Sequence, residues 1–232
     1  MVVQRLLLFD IDGTLVQAGE IGRAVFDRAV GAVLGRAPSG RVQMSGKTDP
    51  QIVREYLAMD GAGAYGQLPV VLKQLEAELA NAAGELEARG SPCQGVPELL
   101  AALSADPRLH LSVLTGNIQP NAIVKLSAFG LQHWLDLEVG AYGSDSEDRT
   151  ALVPIALSRL AERRGAYLRS SDVWVIGDTP RDYECAKAVG ARCLLVATGR
   201  FGVPELSRLG AEVVVENFTS TEDIVQLLTA GL

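Results

Sequence analysis

The sequence predicts an α/β fold, a doubly wound parallel sheet that carries an all-helical insertion. Short apolar runs that end in Gly- or Asp-rich turns alternate with stretches of helical spacing. That alternation is typical of parallel strands covered by helices on both faces. It is interrupted once, after the first apolar run, where three helical patterns follow one another with no strand between them. We therefore expect a sheet domain with a helical insertion behind its first strand.

The strands are predicted from apolar runs bounded by turn-forming residues. The first run, Val2 to Phe9, predicts a strand that is buried on both faces. The later runs are Leu109 to Leu114, Val173 to Ile176, Cys193 to Val196 and Val213 to Val215. The segment Leu135 to Val139 is a candidate for one more strand.

Amphipathic stretches predict the helices. Those between the strands are Pro120 to Phe129, Ala151 to Arg163, Pro180 to Val189 and Thr221 to Leu228. Those of the insertion are Glu20 to Leu34, Thr48 to Met59 and Leu68 to Ala88, with a loop at Asp60 to Gly66. The pattern divides the chain into a sheet domain of residues 1–16 and 93–232 and an insertion of residues 17–92.

Composition limits the classes of function. The chain has 232 residues, and 21 Lys and Arg against 28 Asp and Glu give a net charge of −7, which argues against a nucleic-acid binder. Three cysteines without a C-x-x-C pair favour neither a zinc site nor a disulfide framework. The apolar start reaches Asp10 too soon for a signal peptide or a membrane span. We expect a cytoplasmic protein that does not bind membranes, and we expect a monomer.

Two acidic residues follow the first predicted strand, in the segment FDIDGT at residues 9–14. The carboxyl ends of parallel strands form the ligand crevice of an open sheet, so Asp10 and Asp12 lie where a site is expected. Carboxylates this close repel each other unless a cation or a reaction uses them. The alternative, a turn ended by Gly13, would need only one acid. Thr14 adds a hydroxyl group.

Polar residues also follow the next two predicted strands of the sheet. Thr115, Gly116 and Asn117 lead into a helix, and a hydroxyl with successive amides there can form a small anion-binding nest. The same tripeptide is also common as a turn and helix cap. Asp178 follows the third strand, and Asp182 lies one helical turn later. The alternative for these acids is a role in capping the helix and complementing its dipole.

Taken together, Asp10, Asp12, Thr115, Asp178 and Asp182 resemble the motifs of the haloacid dehalogenase-like hydrolase superfamily. The resemblance covers essentially the whole chain. It implies a Rossmann-like sheet core and a helical cap domain at residues 17–92. It also implies that Asp10 is the nucleophile and Asp12 the general acid and base. The resemblance further implies that Thr115 is catalytic. The substrate-binding residues that it implies are Gly13, Thr14, Gly116 and Asn117. The Mg²⁺ ligands that it implies are Asp10, Asp12, Asp178 and Asp182.

The sequence departs from the family at its basic residue, which is usually a lysine shortly before a helix. Lys125 is the only lysine between the second and third motifs, and it lies inside a predicted helix. Arg149 is therefore expected to take the place of the family's lysine, the alternative being a surface charge. Lys47 lies in a Gly-x-Thr-Asp segment that resembles the cap signature of the phosphoglycolate phosphatase-like group. Lys47 is thus a candidate for substrate contact, and its alternative is a solvated loop residue.

The resemblance implies a Mg²⁺-dependent phosphatase that hydrolyses a small phosphorylated metabolite, phosphoglycolate-like or sugar-phosphate-like, through an aspartyl-phosphate. Asp12 would protonate the leaving alcohol, for which it must begin protonated, and would then activate water. A phosphosugar mutase of the same superfamily uses the same residues and stays open. A 2-haloacid dehalogenase is disfavoured because such enzymes lack the second acid. A receiver-like phosphoacceptor is disfavoured by the length of the chain.

Overall fold

The main sheet consists of five parallel strands. A computed structural model describes residues 3–61 and 64–232. Its strands are β1 (Arg5–Phe9), β2 (Val16–Gln17), β3 (Ser91–Pro92), β4 (Leu109–Val113), β5 (Val173–Gly177), β6 (Arg192–Val196) and β7 (Val213–Val215). The sheet has the order β4-β1-β5-β6-β7, and every pair in it is parallel. Strand β1 therefore lies between β4 and β5, and the carboxyl ends of these three strands are neighbours.

Helices connect the strands, and in the described part of the chain four of them follow β2 before the next strand. The helices are α1 (Ile21–Leu34), α2 (Asp49–Met59), α3 (Ala64–Asn81), α4 (Ala83–Arg89), α5 (Val96–Ser104), α6 (Gln119–Ser127), α7 (Leu152–Arg164), α8 (Pro180–Val189), α9 (Val203–Leu206) and α10 (Thr221–Thr229). Three short 3-10 turns complete the described structure, at Leu131–Trp134, Arg149–Ala151 and Ser170–Asp172. In the described residues, no helix combines the length and the apolar character that a membrane crossing requires.

The side chains of β1 alternate between two hydrophobic cores. Leu7 and Phe9 are fully buried in a core that α5, α6 and α10 complete. Leu6 and Leu8 are fully buried in a second core, formed with α7 and α8. Helices thus cover both faces of the sheet, and this confirms the predicted doubly wound α/β architecture.

Helices α1 to α4 have a core of their own. Val25, Val53 and Leu75 are buried together there, and α6 adds Val124 at the boundary with the sheet. The chain passes from the sheet to these helices through β2 and returns through β3. These two short strands pair in antiparallel fashion, with Val16 opposite Pro92. The two segments that connect the sheet with these helices therefore lie side by side.

Three details of the sequence prediction are wrong. Leu135 to Val139 is not a strand, because only isolated backbone bonds tie this region to the sheet edge, such as Asp136 N to Leu111 O at 2.8 Å. The predicted helix Leu68 to Ala88 is two helices, since Ala82 leaves helical geometry (φ −89°, ψ 3°) and separates α3 from α4.

The third error is the loop predicted at Asp60 to Gly66, because α3 begins at Ala64. Residues 62 and 63 of that loop lie outside the described part of the chain. The helix α5 was not anticipated, although its buried Leu99, Leu100 and Leu103 follow helical spacing.

Val175→Ala tests the buried sheet. Val175 of β5 is fully buried, whereas Val70 of α3 is 55% exposed. We expect Val175→Ala to lower the free energy of unfolding by about 2 kcal/mol, because it removes buried methyl groups and leaves a cavity. The matched control Val70→Ala should stay within about 0.5 kcal/mol of the wild type. Equal effects in chemical denaturation would contradict the described packing.

Candidate active site

The polar residues predicted at the strand ends meet in one cavity of about 390 Å³. Asp10, Thr115 and Asp178 follow β1, β4 and β5, and these strands are adjacent in the sheet. The opposite wall of the cavity belongs to the helical insertion, which contributes Arg23, Phe26 and other residues. The cavity is therefore bounded by the sheet on one side and by the insertion on the other.

Three carboxylates are buried in one cluster, and two of them, Asp10 and Asp178, line this cavity. Asp10, Asp178 and Asp182 are 4%, 3% and 0% exposed, and each offers an oxygen within 4.8 Å of those of the other two. Burial raises the pKa of Asp178 well above its ordinary value, and the neighbouring charges of Asp182 and Asp10 raise it further. Burial also raises the pKa of Asp10, although Arg149 opposes the shift. The cluster thus carries more negative charge than its surroundings readily accept.

Arg149 is the only cation that contacts this cluster among the described residues. Its Nη2 atom lies 3.0 Å from Asp10 Oδ2 and also bonds Asp182 Oδ1. The Arg149 side chain is 5% exposed, so the alternative of a surface charge is wrong. Its Nη1 atom donates to the carbonyl oxygen of Gly46 at 3.3 Å, whereas its buried Nε atom has no hydrogen-bond partner in the described part of the chain.

The chemistry of the cluster fits a divalent cation such as Mg²⁺. When all three carboxylates are ionised, Arg149 compensates only one of the three charges. Hard cations prefer carboxylate oxygens, and the Asp178 Oδ2 atom has no hydrogen-bond donor among the described residues. Asp182 differs, because Thr179 donates to its Oδ2 atom from both the amide (2.9 Å) and the hydroxyl (2.7 Å). Asp182 is thus suited to hold the loop between β5 and α8 in place.

Gly13 and Thr14 form the turn above Asp178. Gly13 has φ +85°, and a Cβ atom there would lie 2.5 Å from Asp178 Oδ2. A side chain at this position would therefore be strained and would collide with the carboxylate. The Thr14 hydroxyl donates to Asp178 Oδ1 at 3.1 Å, and Thr14 is fully buried. Both residues thus shape the carboxylate cluster.

Asp12 pairs with Lys125, which the sequence analysis had set aside. Lys125 Nζ lies 2.7 Å and 2.6 Å from the two carboxylate oxygens of Asp12. The Lys125 side chain is 7% exposed, whereas that of Asp12 is 44% exposed and faces the cavity. The site thus contains two buried cations, Arg149 and Lys125, and the sequence analysis assigned a role only to the first of these two.

The turn after β4 is less open than the predicted anion nest. The Thr115 amide donates to Ala141 O at 3.0 Å, and the Asn117 amide donates to Thr115 Oγ1 at 3.3 Å. The Asn117 side chain accepts a hydrogen bond from Lys125 Nζ at 3.1 Å. Both Thr115 and Gly116 line the cavity, and among the described residues the Thr115 hydroxyl has no hydrogen-bond acceptor, so its hydrogen stays available for a ligand.

A loop of the insertion is docked on this turn. The Asp49 amide donates to Gly116 O at 2.7 Å, and the Asp49 carboxylate accepts from the Ile118 amide at 2.8 Å. Any side chain at position 116 would collide with the Lys47 carbonyl oxygen. Asp49 is 2% exposed, and burial raises its pKa to about 6, although Lys125 opposes this shift.

The cations on the cavity wall differ in how they are compensated. Lys47 lines the cavity as predicted, but its ammonium pairs with Glu55 at 2.5 Å and 2.6 Å. Arg23 bonds neutral groups, Val42 O at 3.1 Å and the Tyr56 hydroxyl at 3.5 Å. Arg200 bonds the side-chain oxygen of Gln43. Among the described residues, neither Arg23 nor Arg200 has a carboxylate partner.

A sequence profile described as haloacid dehalogenase-like hydrolase matches residues 7–196. The chain belongs to this family of hydrolases. The match includes the strand-end motifs and the whole helical insertion of this haloacid dehalogenase-like hydrolase. No curated protein matches the chain.

Solved structures share the fold of this haloacid dehalogenase-like hydrolase. A predicted phosphatase from Clostridium acetobutylicum has a TM-score of 0.69 at 18% identity, over 97% of this chain and 99% of that one. A predicted phosphoglycolate phosphatase from Haemophilus somnus has a TM-score of 0.66 at 18% identity, over 97% and 98%. CbbY from Rhodobacter sphaeroides, in complex with phosphate, has a TM-score of 0.66 at 17% identity, over 96% and 100%.

Sequence reasoning assigned no role to Arg200, or to three cavity residues on helices, Lys125, Asp49 and Arg23. Each of these three lies inside or at the start of a helix, where a charged residue is ordinarily a solvated one. Lys125 offered one signal, because it is a lysine in the last turn of a helix that directly follows a motif. Asp49 offered another signal, because it is the last residue of the Gly-x-Thr-Asp segment. The partners of Asp49 and Arg23 come from remote parts of the chain and could not be predicted from it.

Asp49→Asn tests the buried carboxylate under the docked loop. Because the pKa of Asp49 is raised in the folded protein, the native state binds this proton more tightly than the unfolded chain does. The carboxylate therefore destabilises the fold as pH rises through about 4 to 6. Between pH 5 and pH 7, the free energy of unfolding of the wild type should fall by about 1 kcal/mol relative to Asp49→Asn. Denaturation at both pH values measures this, and a constant difference between the two proteins would contradict it.

Proposed function

We propose that the protein is a Mg²⁺-dependent phosphatase that hydrolyses a small phosphomonoester through an aspartyl-phosphate on Asp10. One observation carries the proposal: Asp10 belongs to a cluster of three buried carboxylates, and two of them, Asp10 and Asp178, line a cavity that Asp12 also lines. Two separate carboxyl groups are thus present for the two tasks of the reaction, nucleophilic attack and proton transfer.

Asp10 is the proposed nucleophile. Arg149 holds its Oδ2 atom at 3.0 Å, which leaves Oδ1 as the atom that attacks phosphorus. Attack forms an Asp10 carboxyl–phosphate bond and breaks the bond from phosphorus to the leaving oxygen. Water then attacks the phosphorus of the aspartyl-phosphate, which returns Asp10 and releases phosphate. One difficult displacement is thereby divided into two easier ones.

Asp12 is the proposed general acid and base. Its carboxylate borders the cavity and is exposed enough to reach a leaving oxygen. It gives a proton to the departing alcohol and takes one from the attacking water. Its presence also favours phosphoester chemistry over dehalogenation, because a departing halide needs no proton.

The transferred group is negatively charged, so the site must compensate that charge. Thr115 offers its hydroxyl, and Arg149 offers a guanidinium held in place by Asp10 and Asp182. Asp10, Asp178 and the main-chain carbonyl of Asp12 are proposed to hold Mg²⁺, with Asp182 supporting the loop. The bound ion would reduce the repulsion between the carboxylate nucleophile and the phosphate.

Residues 17–92 are proposed to act as a cap that closes over the substrate. Their Arg23 lines the cavity without a carboxylate partner among the described residues, as does Arg200 from the sheet domain. Uncompensated guanidinium groups favour an anionic group at the far end of the substrate. This supports a phosphorylated acid over a neutral sugar phosphate. Cytoplasmic location and a monomeric state stay predictions from the sequence.

Asp10→Asn tests the nucleophile. The amide keeps the size of the side chain but cannot form the phosphoenzyme, so phosphate release from small esters should fall at least about a thousandfold. A chelator should abolish wild-type release, and Mg²⁺ should restore it. The control is Asp223→Asn, an exposed position on α10, which should leave turnover unchanged. Wild-type turnover in Asp10→Asn would refute the mechanism.

Arg23→Gln tests the preference for an anionic substrate. We expect kcat/KM to fall about 10- to 100-fold for a phosphate ester that carries a carboxylate, because a charged hydrogen bond is lost. For an uncharged alkyl phosphate, the change should be only a few-fold. The matched control is Arg28→Gln on the same helix, whose exposed side chain pairs with Glu78. Equal losses on both esters would exclude the assignment.

A further inference from the structure

A chain of polar side chains connects Asp12 with the helical insertion. Lys125 Nζ bonds both carboxylate oxygens of Asp12, at 2.6 Å and 2.7 Å, and also Asn117 Oδ1 at 3.1 Å. Asn117 Nδ2 in turn lies 3.4 Å from Asp49 Oδ1. The four residues come from the end of β1, from α6, from the turn after β4 and from the start of α2. The chain therefore crosses the boundary between the sheet and the insertion.

Lys125 is placed to orient Asp12. A carboxylate whose side chain is 44% exposed has several accessible rotamers. The buried Lys125 ammonium contacts both carboxylate oxygens of Asp12, and this contact selects one of these rotamers. Asn117 restrains the ammonium from a second direction. The geometry thus fixes Asp12 at the cavity wall, beside the carboxylate that would attack phosphorus.

Asp49 acts at the other end of the chain, on the helix that carries Lys125. Ile118 is the N-cap residue of α6 and has no side chain that can cap the helix. The Asp49 carboxylate accepts a hydrogen bond from the Ile118 amide at 2.8 Å, and its negative charge complements the dipole at the N-terminus of α6. These bonds require the insertion to be docked on the turn after β4.

We propose that Lys125 is a positioning residue for Asp12, and that Asp49 makes this positioning depend on the docked insertion. The inference rests on the proposed phosphatase function and adds a regulation of the same site. The acid group is aligned only when the insertion has closed over the substrate. An undocked insertion leaves α6 uncapped and Asn117 without Asp49, and it thereby loosens Lys125 and Asp12.

The leaving group of the ester separates positioning from a merely structural role. An alkoxide leaves only with a proton from Asp12, whereas p-nitrophenolate leaves readily without one. The value of kcat/KM reports phosphoryl transfer to the enzyme and excludes the later hydrolysis of the phosphoenzyme. A misaligned Asp12 therefore lowers kcat/KM for an alkyl phosphate far more than for p-nitrophenyl phosphate.

The experiment measures kcat/KM for both esters with Mg²⁺ in the wild type, Lys125→Met, Lys125→Arg and Asp49→Asn. We expect Lys125→Met to lose about 10- to 100-fold on the alkyl ester and less than about 3-fold on the aryl ester. Lys125→Arg, which keeps the charge and the donors, should recover part of the loss. Asp49→Asn should also lower kcat/KM mainly for the alkyl ester, but by a smaller factor. The double variant with Asp49→Asn and Lys125→Met should lose no more kcat/KM than Lys125→Met alone.

The control is Lys187→Met, an exposed lysine on α8, which should leave both kcat/KM values unchanged. Thermal unfolding midpoints identify variants that fail to fold. If the Lys125 variants fail to fold, the comparison of the two esters in Asp49→Asn tests the proposal. Equal losses on the two esters, or none, would overturn the positioning role. Additive effects of Asp49→Asn and Lys125→Met would overturn the coupling. Absence of phosphate release by the wild type from either ester would instead refute the proposed function.

Discussion

The burial of three carboxylates around one guanidinium is the constraint on which the rest of this structure depends. Asp10, Asp178 and Asp182 are almost inaccessible to solvent, and Arg149 contacts only two of them. Burying charge without compensation is costly, so such a cluster persists only where the fold holds each group firmly. Here Thr14 holds Asp178, Thr179 holds Asp182, and the turn that begins at Arg149 delivers the guanidinium.

The sheet topology brings these groups together. With β1 between β4 and β5, the residues that follow these strands meet although they are far apart in sequence. The insertion lines another side of the cavity, and its Asp49 is bonded directly to the turn after β4. The sheet thus supplies the proposed reacting groups, and the insertion supplies the wall that a substrate would face.

Much of this arrangement could be predicted from the sequence, because its signals are local. Apolar runs ending in Asp10 or Asp178 indicate both a strand and a residue at its carboxyl end. The contact between Lys125 and Asp12 joins residues 113 positions apart, and no periodicity indicates which side chain will meet which. The irregular segment at Leu135 to Val139 was misread for a related reason. Its apolar residues pack in the hydrophobic cores beside β4, and an apolar segment buried in this way can be either a strand or a loop.

The central claim is that Asp10 becomes phosphorylated during turnover. The most direct measurement mixes the Mg²⁺-loaded enzyme with a phosphomonoester, quenches it in acid within one turnover, and analyses its peptides by mass spectrometry. The account predicts one phosphoryl group on the peptide that contains Asp10, and none in Asp10→Asn. Phosphate release with no labelled peptide, or with the label on another residue, would contradict the account.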